Sequence, residues 1–308
     1  MPLSSAAAAL RACAPWPLGA DGRPAPVVLA CSGGADSTLL ALAWSACSEL
    51  PSAFAVVVDH GHRAGSADDV EKARARLKSL GLAAEAVRAE PPAPPDANED
   101  ALREFRYATL IAAAQRHGAG LVVTAHTADD LAETVLLRIL RGTGLRGLAG
   151  IPQRRALAPG VTLLRPLLGL RRRALRESLR ARGVEWWEDP SNSDPEHNAR
   201  ARLRERVLPE LASLATGDPV LAVLRLAGEA RAWSDSLDLL LAAAPDWRAL
   251  PPYLREQAIA AQLRALGETV SPARLRDLAG ALQSRGRAGV DAKRDLALTA
   301  EGQLSLQA

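Results

Sequence analysis

Residues 26–32 read PVVLACS, and residues 32–37 read SGGADS before a helical pattern begins. A short apolar run that turns through two glycines straight into a helix constrains this chain more than any other feature. Such a run, bounded by turn residues, fits a strand buried on both faces. Glycine lets the backbone turn sharply and approach a ligand closely. The helix start then aims free N–H groups and the positive end of its dipole at whatever lies in the turn. Ser32, Gly33, Gly34, Ala35, Asp36 and Ser37 therefore make a candidate phosphate cradle, to which the two serines add hydroxyl donors. It is not a Walker A loop, because GxxxxGK[ST] is absent and the nearest lysine is Lys72. The plain structural alternative is a Gly-rich turn whose helix is capped by Asp36 or Ser37. An acid beside phosphates repels them unless a cation lies between, so a nucleotide bound here implies Mg²⁺ at Asp36.

The segments around this loop alternate. Strand-like runs at 26–32, 53–59, 83–89 and 121–125 are separated by helical patterns at 37–50, 66–80, 98–117 and 129–141. That alternation predicts an α/β fold: a parallel sheet with helices on both faces. Beyond Arg171 strand-like runs almost vanish and Leu-, Ala- and Arg-rich helical patterns take over, with a tail at 296–306 that fits a hairpin or last strand. The turn chemistry of 215–219 (ATGDP) marks a boundary between a catalytic domain, 1–215, and a smaller helical domain, 216–308. A chain of 308 residues has room for both.

Three sparse cysteines, Cys13, Cys31 and Cys47, without CxxC spacing, argue against a disulfide scaffold or a zinc ribbon and fit a cytoplasmic location. No apolar run approaches the ~20 residues a bilayer requires, so no membrane partner is expected. The net charge of +3 conceals an uneven distribution. Segments 1–137, 138–182 and 183–308 carry −5, +11 and −3, and the middle one holds twelve arginines and a single acid, Glu177. That stretch reads as an electrostatic footprint for a phosphate backbone, against the alternative of a solvated helix face, especially at Arg171, Arg172 and Arg173.

A second motif, 124–134 (TAHTADDLAET), lies at the end of the fourth strand. Asp130 and Glu133 are three apart and share a helix face, with His126 one turn earlier. Acids at a helix start favour the dipole without any function, but that leaves His126 unexplained. A functional reading requires a cationic ligand, a metal or an amine. In parallel α/β sheets ligands bind outside the carboxyl ends of the strands, where the SGGADS loop, the 59–62 loop (DHGH) and the His126 loop all emerge. A literal GxGxxG at Gly142, Gly144 and Gly147 follows a helix, not a strand, and is rejected as a dinucleotide site.

SGGxDS after a first strand resembles the signature of the PP-loop (N-type) ATP pyrophosphatases. The wider set resembles the tRNA(Ile)-lysidine synthase family. It comprises 32–37, 58–63 (VDHGHR), 103–107 (REFRY), 124–134, 141–152 (RGTGLRGLAGIP), 165–168 (RPLL) and 188–192 (EDPSN), in the family's order. The resemblance covers most of 28–209. It implies a short form without an additional C-terminal domain, and often a homodimer. It implies ATP, Mg²⁺, free L-lysine and a tRNA(Ile) with a CAU anticodon as ligands. ATP adenylates the C2 oxygen of the wobble cytidine, and the lysine ε-amine then displaces AMP. By this resemblance Ser32, Gly33, Gly34, Ala35, Asp36, Ser37 and His60 hold the nucleotide, and Asp36 holds the metal. Arg106 faces the phosphates, Asp130 and Glu133 bind the lysine ammonium, and His126 attends the nucleophile. Arg141, Arg146, Arg171, Arg172, Arg173, Arg200, Arg202 and Arg204 meet the RNA. Thr127 stands where the family often has a second histidine or asparagine, and Ala201 where asparagine is common.

Overall fold

The computed structural model describes residues 2–19, 22–61, 65–90, 99–187, 198–244, 246–268, 270–289, 295–298 and 304–307. His62, Arg63 and the 188–192 motif lie outside them. The chain divides into two compact units, Met1–Glu229 and Ala230–Ala308. This division falls beyond the turn at 215–219.

The first unit begins with α1 (Pro2–Arg11), β1 (Val27–Cys31), α2 (Ala35–Ser45), β2 (Ala53–Asp59), α3 (Ser66–Ser79) and β3 (Ala83–Arg88). It continues with α4 (Glu99–Arg116), β4 (Leu121–Val123), α5 (Ala128–Leu140), the one-turn α6 (Leu145–Leu148), β5 (Arg154–Ala158), β6 (Val161–Leu164) and α7 (Arg172–Arg180). A continuous helical run follows: α8 (Ala199–Arg202), a π turn (Leu203–Val207) and α9 (Leu208–Leu214), after which α10 (Pro219–Ala243) begins.

Six strands form one sheet in the order β3-β2-β1-β4-β6-β5. All neighbours are parallel except β5, which pairs antiparallel with β6. The β5–β6 hairpin is a departure from the alternating pattern. Its strands are short, and β5 (RRALA) is a half-exposed edge carrying two arginines, so it lacks the apolar run that marks a buried strand.

Period-two alternation explains the layering. Val27, Leu29, Cys31, Ala55, Val57, Leu121, Val123 and Leu164 join α1, α2 and α7 side chains such as Leu10, Leu39 and Leu175 in one core. Val28, Val56, Val122 and Leu163 face the other way, onto Leu110, Ala113 and Ala114 of α4. Because β1 is buried on both faces, its end is fixed in depth, and so is the loop that follows it. The strand order reverses between β1 and β4, and the crevice at that switch point is where α/β sheets bind ligands.

The second unit packs Trp247, Ile259, Leu263, Leu275, Leu278 and Leu282 against Ala288 and Leu296. Trp247 lies in a short 3-10 turn (Trp247–Ala249), and the others come from α11 (Pro252–Ala265), α12 (Pro272–Arg285) and a small sheet of β7 (Arg287–Gly289), β8 (Asp295–Leu298) and β9 (Leu304–Gln307). The tail is thus part of a three-stranded antiparallel sheet. Among the described residues no single helix is long and apolar enough to cross a membrane.

Candidate active site

The SGGADS loop leaves β1 and enters α2 with Gly34 as the N-cap, which has no side-chain cap hydrogen bond. The capping alternative therefore fails at this helix. Gly33 has φ +80°, and a Cβ there would lie 3.0 Å from Ala73 Cβ, so only glycine fits without strain. The Ser32 backbone N–H donates to Ser37 Oγ at 3.2 Å, Ser37 Oγ donates to the Gly34 carbonyl at 3.0 Å, and Thr38 Oγ1 to the Gly33 carbonyl at 3.3 Å. The Trp187 backbone N–H also donates to the Gly33 carbonyl, at 3.0 Å. These bonds set the curvature of the cradle.

One strand away, the Thr124 backbone N–H donates to the Leu164 carbonyl, and the chain turns into α5. Thr127 caps that helix. Its side chain accepts from the Asp130 N–H, while its own N–H and hydroxyl both donate to Asp130 Oδ2 at 2.7 Å. This capping box is the reason threonine serves here. Thr124 Oγ1 lies 2.8 Å from His126 Nδ1 and orients the imidazole.

The centre of the site is Arg172, the first residue of α7. Its Nε donates to Asp36 Oδ2 at 3.0 Å, Nη2 to Asp130 Oδ1 at 2.6 Å and Nη1 to Glu133 Oε1 at 3.1 Å. One guanidinium thus ties the SGGADS loop to both acids of the second motif. Arg204 Nε also reaches Glu133 Oε1 at 3.1 Å, and Arg200 Nη1 lies 3.7 Å from Glu133 Oε2. Glu133 is fully buried, which is tolerable for a carboxylate because it is ringed by cations.

The charges respond to this packing. Burial pushes the Asp36 carboxyl up to about 6, aided by the Asp130 charge and opposed by Arg172. Burial works against the Asp130 charge too, but Arg172, His126 and Thr127 outweigh it and hold that carboxyl below its ordinary range. Burial lowers His126 to about 4, helped by the charges of Arg165, Arg103 and Arg200 and opposed by Asp130. The imidazole is therefore neutral at physiological pH. Asp36 Oδ1 is buried with no hydrogen-bond partner. An orphaned carboxylate oxygen beside a hydroxyl- and N–H-lined loop fits a hard cation.

His60, after β2, joins the same edge, with its Nε2 3.3 Å from Arg106 Nη2 and Phe105 edge-on to its ring. Arg106 itself is exposed. The residues proposed for nucleotide and amine thus converge. Those proposed for RNA scatter. Arg172 is turned inward with only 13% of its side chain exposed. Arg171 pairs with Asp129 and Asp218. Arg200 and Arg204 lean on Glu133. Arg141, Arg173 and Arg202 are exposed and Arg146 is half-buried, while Ala201 is fully buried and offers no side chain to a ligand. Of the other arginines in the +11 stretch, Arg138 donates to the Gly147 and Gly150 carbonyls and Arg154 to the Cys13 carbonyl. Much of that charge is spent inside the fold, and the glycines of the rejected GxGxxG serve a tight turn after α5. The central place of Arg172 was not anticipated. A signal existed: the first 137 residues carry −5, so the acids at this edge required cations from elsewhere in the chain.

The three cysteines are buried free thiols, and burial pushes Cys31 up to about 12, so it is no nucleophile.

A family model described as a PP-loop domain matches residues 17–211. A tRNA(Ile)-lysidine synthase from Salinispora tropica is 47% identical over 193 residues, covering 61% of this chain and 57% of the relative. One from Methylobacterium sp. is 39% identical over 281 residues, 91% of this chain and 80% of the relative. The chain spans a little over half the length of the Salinispora relative. Among solved structures, the U34-tRNA thiolase NcsA from Methanococcus maripaludis, with its [4Fe-4S] cluster, superposes with a TM-score of 0.59 at 15% identity, over 74% of this chain and 78% of that one, a likeness of fold. On its loop, its sheet and these relatives, the chain belongs to the tRNA(Ile)-lysidine synthase family of PP-loop proteins.

Proposed function

We propose that this chain ligates free L-lysine to C2 of the wobble cytidine of a tRNA(Ile) with a CAU anticodon, through an adenylated base, with release of pyrophosphate and AMP. The observation that carries this reading is the link between cradle and carboxylates: Asp36 of the SGGADS loop shares Arg172 with Asp130 and Glu133. A site for phosphates and a site for a cationic nitrogen are thereby one site. Ser32, Gly33, Gly34, Ala35 and Ser37 hold the ATP phosphates through N–H and hydroxyl donors. Asp36 would hold Mg²⁺, which would neutralise phosphate charge when bound. His60 and the exposed Arg106 border the nucleotide, and Arg106 spreads the developing negative charge.

A carbonyl oxygen is a poor leaving group, and adenylation makes it a good one. The incoming amine is the second requirement. Its reference pKa is about 10.4, so it arrives protonated. Asp130 and Glu133 attract the ammonium, taking it in exchange for the Arg172 guanidinium, another N–H cation of like charge. Neutral His126, fixed through Thr124, positions the amine; with its pKa lowered to about 4 it is too weak a base to take the ammonium proton itself. Exposed Arg141, Arg173 and Arg202, with Arg146, supply phosphate contacts to the tRNA.

Purified protein with ATP, Mg²⁺, labelled lysine and the cognate transcript tests the proposal. Label is expected on the RNA, dependent on both ATP and the CAU anticodon. Folded protein that leaves the RNA unlabelled refutes it.

A further inference from the structure

Arg103, Tyr107, Arg155 and Arg165 form a second polar cluster at the same sheet edge. The Arg103 guanidinium lies over the Tyr107 ring, 4.9 Å from its centroid, and Arg155 lies 5.1 Å from it. Arg103 Nη2 donates to the Tyr107 hydroxyl at 3.0 Å. Arg165, only 1% exposed, sits against the same phenol, and its Nη1 donates to the Pro152 carbonyl at 2.7 Å. Its Nε is buried without a hydrogen-bond partner. Arg165 directly follows β6, whose Leu164 carbonyl accepts the Thr124 N–H, so it stands beside the His126 loop.

No carboxylate among the described residues pairs with any of these three arginines, whereas Arg171, Arg172 and Arg204 each meet an acid. Three like charges around one phenol repel one another. Cation–π contact offsets that repulsion only in part. A cationic cluster kept without an acid, beside a reactive centre, is the arrangement that planar guanidinium forks make for carboxylates and phosphates. Rules broken locally without compensation mark functional sites. His126 thus feels one carboxylate, Asp130, and the guanidiniums of Arg165 and Arg103, which meet no acid among the described residues.

We infer that Arg103, Arg155 and Arg165, arrayed on Tyr107, are an oxyanion subsite that takes a substrate carboxylate or phosphodiester next to His126. The owner of the anion follows from the proposed reaction, on which that part rests: either the α-carboxylate of free lysine or a backbone phosphate of the RNA. Arg103 and Arg155 are the accessible members, and buried Arg165 holds the positive potential beneath them.

The test uses the full chain and the double variant R103Q/R155Q, both side chains lying at least partly in solvent. Lysine KM, turnover with 1,5-diaminopentane (lysine without its carboxylate) and tRNA affinity across salt are measured for both proteins. If lysine supplies the anion, its KM rises about tenfold or more while diaminopentane turnover and tRNA affinity hold. If the RNA does, tRNA affinity falls about tenfold and the salt slope shrinks by about one per lost phosphate contact, while lysine KM holds. Lysine KM and tRNA affinity both within twofold of the parent overturn the inference. So does a lowered melting temperature of the unliganded variant, because removing like charges from an empty anion site leaves stability level or raises it. Should the parent make no lysidine, the reaction reading fails alone. Sodium sulfate then still reports on the subsite: it must raise the parent's melting temperature more than the variant's, and equal rises overturn the subsite.

Discussion

Arg172→Ala removes one cation from three carboxylates, and its consequence can be worked from the geometry. Arg172 is 13% exposed, and its partners Asp36, Asp130 and Glu133 are 22%, 19% and 0% exposed. Breaking a buried ion pair by deleting one partner costs about 3–5 kcal/mol, because a charge is left behind uncompensated. Glu133 keeps Arg204 and Arg200, and Asp130 keeps Thr127, so the loss belongs in that range and not at three times it. The pH dependence is the sharper test. Asp36 ionises near 6 in the folded chain, above its ordinary 3.8. It therefore contributes stability at low pH that is lost as pH rises through about 6. Without Arg172 its folded pKa climbs further and Asp130 rises with it. The gap between variant and parent thus widens with pH, by about 1.4 kcal/mol for each unit of extra shift. Urea unfolding followed by tryptophan fluorescence at pH 5, 6, 7 and 8 measures it. A gap below about 1 kcal/mol at pH 8, or one that stays constant from pH 5 to pH 8, refutes the central role of Arg172.

Other outcomes are expected from the same geometry. Gly33→Ala should destabilise the first unit by about 1–2 kcal/mol from the left-handed backbone alone, with a further loss from the 3.0 Å approach to Ala73; urea titration reads the first effect and ATP binding the second. Mg²⁺-dependent ATP affinity should weaken as pH falls through about 6, where Asp36 protonates, and Asp36→Asn should bind weakly at every pH; calorimetric titration from pH 5 to 8 distinguishes the two. Thr124→Val frees the His126 ring from its 2.8 Å contact and should slow lysine-dependent AMP release by about tenfold, while pyrophosphate release changes less. Arg173→Ala, at an 84% exposed side chain, should leave stability within about 0.5 kcal/mol and reduce the tRNA salt slope by about one; an unaltered slope returns Arg173 to a solvated helix face.

Local sequence was sufficient wherever the physics is local. A run such as VVLAC is apolar on both faces because its strand is buried on both, and Gly33 of SGGADS stands where the backbone turns left-handed, at φ +80°. Residues 53–59 and 66–79 could be placed almost to the residue, since alternation and helix-start acids depend on near neighbours. Convergence of the SGGADS and His126 loops followed from the rule for parallel sheets. The β5–β6 hairpin was not legible, because an edge strand carrying Arg154 and Arg155 has no apolar run to announce it.

Charge is where the two levels part. The sequence alone shows that twelve arginines crowd into 138–182 with one acid, and that the acids they face lie elsewhere. It does not show which of them meet, because an ion pair depends on proximity in space and Arg172 stands 136 residues from Asp36. Only the folded chain decides that Arg172 is an internal cation shared by three carboxylates, that Arg171 closes on Asp129 and Asp218, and that Arg103, Arg155 and Arg165 pair with no acid among the described residues. The loop, the strands and the candidate chemistry were written in short stretches of sequence. The partner of each charge was written in the packing, since Coulomb attraction between residues distant in the chain acts only after the sheet has brought its loops to one edge.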